Sequence, residues 1–267
     1  MGLALNKKRL SESASVLLLI LLDHLIQVTA NIHYVYRARS LLVFLALVNI
    51  VFRLQNVIQV GLLYVFLNTL WLFLPEGFWK SPVVPFLASF VLSTALIFPF
   101  KSLRERVSFF KRGEISMNHR YLIVAVSLGS ALALILWGLW TKNLGVAAEG
   151  LKDLRKINRW VLYFVFIPVF SLVNAFAEEV FYRGVVQEAL SRVFRSEILV
   201  IFLQAASFAA VHYAGGFPNG VLGYFMVLVY GCLLGFLRAK TKGLLAPYLA
   251  HVVADFVIAS FLVWSLH

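Results

Sequence analysis

The sequence predicts an all-α, polytopic transmembrane bundle of about eight or nine helices, and three observations lead to this prediction. Of the 267 residues, 61% are hydrophobic and only 13% are charged, whereas soluble domains carry about 25% charged residues. The apolar residues collect in segments whose lengths approach the roughly 20 residues that cross a bilayer as a helix. Short loops rich in Lys and Arg separate these segments, which is typical of the cytoplasmic loops of membrane proteins.

The first part of the chain, residues 1–150, is predicted to hold N-terminal transmembrane helices and a basic cytoplasmic loop. Its predicted spans are residues 14–30, 41–52, 57–74, 83–100 and 121–140. The segment 41–52 has only 12 residues, so the sequence leaves open whether it crosses the membrane. Asp23 and His24 interrupt the first span. We interpret this pair as a helix-packing or interfacial feature rather than a functional site.

The distribution of positive charge predicts how the chain is oriented in the membrane. Residues 101–120 form the longest polar loop, with six Lys or Arg residues against two acids. If the N-terminus is cytoplasmic and the segment 41–52 crosses, the cytoplasmic side has 16 Lys and Arg residues and the other side has eight. The positive-inside rule favours this orientation. The net charge of +12 is spread over several short loops, so we do not expect nucleic-acid binding.

A surface helix and a C-terminal core complete the predicted architecture. Residues 143–159 place basic and apolar side chains at helical spacing, which predicts an amphipathic helix on the membrane surface. Residues 151–267 are predicted to form a transmembrane core around a polar cavity. Its apolar segments are residues 160–173, 197–212, 221–237 and 244–264, with a separate short helix at 185–194. The single Cys232 excludes an internal disulfide and a multi-cysteine metal site.

Two adjacent carboxylates at the end of the segment 160–173 form the first of three polar motifs in this core. Glu178, Glu179 and Arg183 have the pattern Glu-Glu-x-x-x-Arg. On an α-helix the four-residue spacing places Glu179 and Arg183 within ion-pair distance, whereas Glu178 points about 100° away. This arrangement predicts that Glu178 stays free to accept a proton. The alternative is a membrane-boundary charge cluster in which Arg183 extends toward lipid head groups.

The other two motifs add the remaining groups that peptide hydrolysis requires. His212 follows Phe208 in the pattern Phe-x-x-x-His, and His251 lies one helical turn before Asp255. Hydrolysis needs a base that activates water and a donor that stabilises the oxyanion. A carboxylate in an apolar pocket is a stronger base, because burial disfavours its charged form. We therefore predict that Glu178 and His212 hold the water and that His251 stabilises the oxyanion.

Taken in order, these motifs resemble the CPBP family (CAAX protease and bacteriocin-processing, or Abi), glutamic-type intramembrane endopeptidases related to the type II CAAX prenyl proteases. The resemblance covers about residues 155–265 and implies catalytic residues Glu178, Glu179, Arg183, His212, His251 and Asp255. In the family an Asn acts at the oxyanion where this chain has Asp255. An ionised Asp cannot donate a hydrogen bond, so Asp255 must either be protonated or orient the ring of His251.

The resemblance also implies the enzyme's setting. It implies an endopeptidase without a cofactor or metal, acting on a membrane-associated protein or peptide in the plasma membrane of a prokaryote. A prenylated C-terminal peptide and a sorting or maturation substrate both remain open.

Two other classes of membrane protein are alternatives to an endopeptidase without a metal. Histidines and a glutamate can bind zinc with an open fourth position, although the chain lacks His-Glu-x-x-His. A transporter or immunity protein could use the buried charges, but a transporter is expected to show repeated halves.

Overall fold

Helices joined by short connections make up the part of the chain that we describe, from a computed structural model covering residues 2–74, 83–105, 111–141 and 152–266. Within these ranges the predicted all-α, polytopic architecture is confirmed. The principal helices, numbered in chain order, are α1 (Gly2–Val28), α2 (Ile32–Val51), α3 (Ile58–Phe73), α4 (Val83–Ile97), α5 (Met117–Thr141), α6 (Arg159–Val193), α7 (Glu197–Ala214), α8 (Gly220–Thr241) and α9 (Leu245–Leu266).

Among the described residues, seven helices are long and apolar enough to cross a membrane, and α3 and α4 are apolar but shorter. The predicted segment 41–52 is part of α2, which has 20 residues and is long enough to cross. The helix begins earlier than predicted because Arg37 is exposed and interrupts only the apolar run, not the helix. The side chain of Asn31 caps the helix by accepting a hydrogen bond from the backbone N–H of His33, at 3.0 Å.

Helix α6 is the longest helix in the described structure, and it positions the motif glutamates. The separate short helix predicted at 185–194 is wrong, because α6 continues without a break to Val193. Arg183 and Gly184 looked like the end of a helix in the sequence, but both are buried inside it. Residues Leu162–Phe166 and Glu179–Val186 adopt π-helical hydrogen bonding. Such turns are frequent at functional sites, and the second one contains Glu179 and Arg183.

One end of the bundle collects many of its basic residues. Helices α7 and α8 are consecutive and pack side by side, so the start of α7 and the end of α8 lie together. Arg9 Nε donates a hydrogen bond to the carbonyl of Val193, at 2.9 Å, which places the N-terminus there too. The backbone N–H of Leu244 donates to the carbonyl of Lys111, at 2.6 Å, so the segment 111–116 also lies at this end. We call it the basic end.

A buried aromatic cluster joins the N-terminal helices to the C-terminal ones. Phe181 on α6 contacts Tyr64 on α3 and Phe86 on α4, with ring centroids 5.9 and 4.8 Å away. Tyr182 packs against Phe208 on α7, at 4.9 Å. Side chains from both predicted parts of the chain therefore share one apolar core.

The predicted surface helix at 143–159 lies partly outside the described residues, and its described portion at Lys152–Lys156 is a 3₁₀ turn.

Candidate active site

The three charged residues of the first motif are buried side by side on α6. Glu178, Glu179 and Arg183 are 4%, 1% and 0% exposed. Arg183 Nη1 donates to Glu179 Oε1 at 3.0 Å, which is the ion pair that the four-residue spacing predicts. The guanidinium also lies over the ring of Phe208, 4.5 Å from its centroid, and Nη2 donates to the carbonyl of Gly231 at 3.4 Å. A carboxylate, a ring face and a carbonyl together compensate the buried charge.

Helix α9 places the imidazole of His251 between the two motif glutamates. Its Nδ1 lies 2.8 Å from Glu179 Oε1, and its Nε2 lies 3.4 Å from Glu178 Oε2 and 3.7 Å from Asp255 Oδ1. Because a carboxylate oxygen accepts, the hydrogen of this imidazole lies on Nδ1, and Glu179 fixes the ring orientation. The opposite edge of the ring, at Nε2, is thereby directed toward Glu178 and Asp255.

Aromatic neighbours hold the same imidazole from its sides. The rings of Phe208 on α7 and Tyr230 on α8 meet His251 edge to face, with centroids 5.8 and 5.6 Å away. The hydroxyl of Tyr230 donates to the carbonyl of Ala250, one residue before His251, at 3.2 Å. Three helices of the C-terminal core therefore converge on one imidazole, which limits the positions that the ring can adopt.

Asn174 belongs to this cluster, although the sequence patterns assigned it no role. It lies one helical turn before Glu178 on α6 and is buried. Its Nδ2 donates to Asp255 Oδ2 at 3.0 Å and to Glu178 Oε1 at 3.3 Å. Its Oδ1 is buried without a hydrogen-bond partner among the described residues. The available signal was a polar residue at helical spacing before the Glu-Glu pair, inside an otherwise apolar span.

His212 lies at the edge of the cluster, near the end of α7. Its ring is half-buried, and Nδ1 donates to the carbonyl of Phe208 on its own helix, at 3.1 Å. This hydrogen bond leaves Nε2 as the nitrogen directed away from the helix backbone. The rings of His212 and His251 both contact Phe208, with centroids 4.9 and 5.8 Å from the phenyl centroid. The structure therefore brings all six predicted site residues into one region, with His212 at its accessible margin.

A second polar cluster packs against the far side of the aromatic core. Asp23 on α1 is fully buried, and its Oδ1 accepts from Asn68 Nδ2 on α3 at 2.9 Å. The hydroxyl of Tyr64 lies 2.5 Å from Ser207 Oγ on α7. These contacts join α1, α3 and α7, which agrees with the packing interpretation of Asp23.

Among the described residues, no three His, Cys, Asp or Glu side chains are arranged as ligands of one metal ion.

The comparison with protein families agrees with the motifs. Residues 160–257 match a family model described as "Type II CAAX prenyl endopeptidase Rce1-like". The matched segment contains all six predicted site residues and Asn174. No curated protein and no solved structure matches this chain. The segment 160–257, which holds the whole buried cluster, is therefore similar to the type II CAAX prenyl endopeptidases, and the described helices are those of a multi-pass membrane protein.

Proposed function

We propose that the protein is a glutamic-type intramembrane endopeptidase in which Glu178 activates the attacking water. The observation that supports this proposal is that the protein holds Glu179 by shorter contacts than Glu178. Glu179 Oε1 is held by Arg183 and by His251 Nδ1, at 3.0 and 2.8 Å. Glu178 has longer contacts, 3.3 Å to Asn174 and 3.4 Å to His251. Glu178 is therefore the carboxylate that can exchange a protein contact for a water molecule.

The proposed reaction uses His251 beside this base. Glu178 removes a proton from water while the water oxygen bonds to the carbonyl carbon of the scissile peptide. The electrons of the carbonyl double bond move to its oxygen, which becomes the oxyanion. A protonated His251 would direct its Nε2–H toward that oxygen, and one such donor is worth about 3–4 kcal/mol. When the intermediate collapses, the C–N bond breaks and Glu178 transfers the proton to the leaving amine.

His212 is assigned to the water rather than to the oxyanion. Its half-buried position and its Nε2, which is directed away from α7, support a role in holding the water at the margin of the cluster. His212 contacts Phe208, whose ring also contacts His251, the imidazole that lies beside Glu178. Glu178 and His212 would then hold the same water from opposite sides, as the family resemblance implies.

Asp255 and Asn174 together take the place of the Asn that the family has at position 255. The 3.7 Å separation between Asp255 Oδ1 and His251 Nε2 is too long for a hydrogen bond. The hydrogen bond that Asp255 does make is to Asn174, whose amide also donates to Glu178. We therefore assign Asn174 as a positioning residue: its NH₂ group separates two carboxylates that would otherwise repel each other in a buried site.

The substrate and the setting complete the proposal. We infer a membrane-associated substrate cleaved near a C-terminal CAAX-type sequence, because residues 160–257 match the prenyl endopeptidase model. A sorting or maturation substrate without a prenyl group is the second candidate. We further propose that the basic end faces the cytoplasm of a prokaryotic cell, since Lys and Arg residues accumulate on the cytoplasmic side.

Cleavage of a membrane-embedded reporter by the purified, reconstituted protein tests this function. The reporter is made with and without a C-terminal prenyl group, and cleavage of only the prenylated form would identify the substrate class. Glu178→Gln is compared with Glu188→Gln, which makes the same substitution on the same helix outside the cluster. Loss of cleavage only in Glu178→Gln is the expected result. Equal cleavage by wild type and Glu178→Gln would overturn the proposed mechanism.

A further inference from the structure

A groove at the basic end lies apart from the catalytic cluster and has a volume of about 600 Å³. This volume is within the range of about 300–1,000 Å³ that is usual for ligand sites. The groove lies between the first turns of α5 and α9, beside the segment 111–116. Two basic and four aliphatic side chains line most of it, namely Arg112, Arg120, Ile123, Val124, Leu245 and Leu249.

Backbone contacts build one wall of this groove. The N–H of Leu245 donates to the carbonyl of Arg112 at 3.2 Å, and the N–H of Glu114 donates to the carbonyl of Thr241 at 2.9 Å. Gly113 has a φ of +78°, and a Cβ atom there would collide with the backbone of Thr241 and Gly243. The segment 111–116 is thus fixed against the turn between α8 and α9. The groove is pre-formed and does not depend on a ligand to order it.

The charge of the groove is positive at its mouth. Arg112 and Arg120 are exposed, and no acidic side chain is among the described residues that line the groove. Both α5 and α9 begin here, because the segment preceding α5 is bonded to the turn that precedes α9. The dipoles of these two long helices add to the attraction for an anion.

The deeper wall of the groove is apolar. Ile123 and Val124 follow Arg120 on one face of α5, and Leu249 follows Leu245 by one turn on α9. Val124 and Leu249 are 54% and 43% exposed. A basic mouth above an aliphatic wall complements an amphipathic anion: a phosphate fits the arginines, and a hydrocarbon chain fits the surface below them.

We propose that this groove binds an anionic phospholipid, with its phosphate on Arg112 and Arg120 and an acyl chain along Val124 and Leu249. The lipid would bridge α5 and α9. Because α9 also presents His251 to the glutamates, the bound lipid would support the helix that carries the catalytic imidazole. Two arginine contacts should favour an anionic over a zwitterionic headgroup by about tenfold or more.

Native mass spectrometry of the full-length protein, released from phosphatidylcholine nanodiscs with or without phosphatidylglycerol, tests this site. The wild type should retain phosphatidylglycerol in preference to phosphatidylcholine. The double variant Arg112→Gln/Arg120→Gln should lose most of this preference. The control Arg53→Gln/Arg195→Gln removes the same charge from exposed arginines and should keep it. Val124→Trp, which fills the apolar wall, should reduce retention while leaving both arginines in place.

Three outcomes would overturn the proposal. The first is equal loss of phosphatidylglycerol in the groove variant and the control, which would indicate a general charge effect. The second is displacement of the lipid by inorganic phosphate alone, which would show that the acyl wall contributes nothing. The third is displacement by a prenylated peptide that is then cleaved, which would make the groove a substrate site instead.

Discussion

Helix α6 carries two Glu–Arg pairs with the same four-residue spacing, and their surroundings make them different. Glu179 and Arg183 are buried, and the carboxylate also contacts His251 at 2.8 Å. Glu188 and Arg192 lie 3.3 Å apart, with side chains 18% and 27% exposed, and Glu188 also pairs with Arg238 on α8. The spacing alone therefore does not identify a site. Burial and the convergence of a third helix distinguish the first pair from the second.

The difference has an energetic basis. Solvent reaches the partly exposed Glu188 pair and screens its charges, and ion pairs at the surface contribute about 0–1 kcal/mol to stability. Removing one partner from a buried pair leaves an uncompensated charge and costs about 3–5 kcal/mol. The buried pair therefore holds the carboxylate of Glu179 in place. In the proposed mechanism its neighbour Glu178 acts as the base because it lies outside this ion pair.

The largest expected effect comes from the base itself. Glu178→Gln keeps the size of the side chain but removes the basic oxygen, so turnover should fall by at least about 100-fold. Substrate binding should change little, because the lost interaction belongs to the chemical step. The measurement is kcat and KM for reporter cleavage. Glu188→Gln should cleave at close to the wild-type rate.

The assignment of the two carboxylates could be reversed by the same assay. If Glu178→Gln cleaved normally while Glu179→Gln was inactive at normal abundance, Glu179 would be the base. If both variants cleaved normally, the protease mechanism proposed for this cluster would fail.

The next largest effect concerns the ion pairs. Arg183→Ala should lower the free energy of unfolding by about 3–5 kcal/mol, because it leaves Glu179 charged and buried. Arg192→Ala should lower it by no more than about 1 kcal/mol. Chemical denaturation in detergent micelles measures both. Arg183→Ala should resemble Glu179→Gln in its mixed effect on stability and rate.

The double variant Glu179→Gln/Arg183→Met separates the effect of an unpaired buried charge from the effect of lost packing. It removes both charges together and should recover part of the stability lost in Arg183→Ala. It should not recover activity, since His251 would lose the carboxylate that orients its ring. A double variant that was as unstable as Arg183→Ala would mean that the loss arises from packing, not from an unpaired charge.

A smaller effect is expected for Asn174. Asn174→Ala removes the amide between Glu178 and Asp255 and should lower kcat by about tenfold or more, the order of one lost hydrogen bond to a charged group. Changing Asp255 to Asn in the same chain should restore part of that rate, because it removes the like charge that the amide had separated. The single variants and the double variant Asn174→Ala/Asp255→Asn form a cycle whose non-additivity measures the coupling. Strict additivity would contradict the positioning role.

Hydropathy predicted most of the fold because lipid-facing surfaces must be apolar wherever a helix crosses the bilayer. It misplaced the start of α2, since Arg37 and Arg39 can lie in the first turns of a helix without ending it. It also divided α6 at Arg183, because a buried arginine has the same appearance in a sequence as one at a membrane boundary. Only the partners of that arginine, on α7 and α8, distinguish the two cases.

The site was predictable to the extent that its contacts are local. The Glu179–Arg183 pair follows from helical spacing, and the family motifs pointed to His251 and Asp255. The role of His251 between both glutamates depends on a contact across 72 residues, which no local pattern contains. Asn174 was missed for the same reason, since its hydrogen bond to Asp255 crosses 81 residues.

The smallest expected effect is that of metal removal. The part of the chain that the structure describes has no three His, Cys, Asp or Glu side chains arranged as ligands of one metal ion. Nδ1 of His251 donates to Glu179 and Nδ1 of His212 donates to the carbonyl of Phe208, which leaves only Nε2 of each ring for a metal. Both rings would have to bind a metal through Nε2, together with Glu178 or Asp255. We expect purified protein to keep its cleavage activity after chelation and to contain no stoichiometric zinc. Elemental analysis showing one zinc per chain, with activity lost on stripping and restored by zinc, would instead make Glu178 part of a metal site.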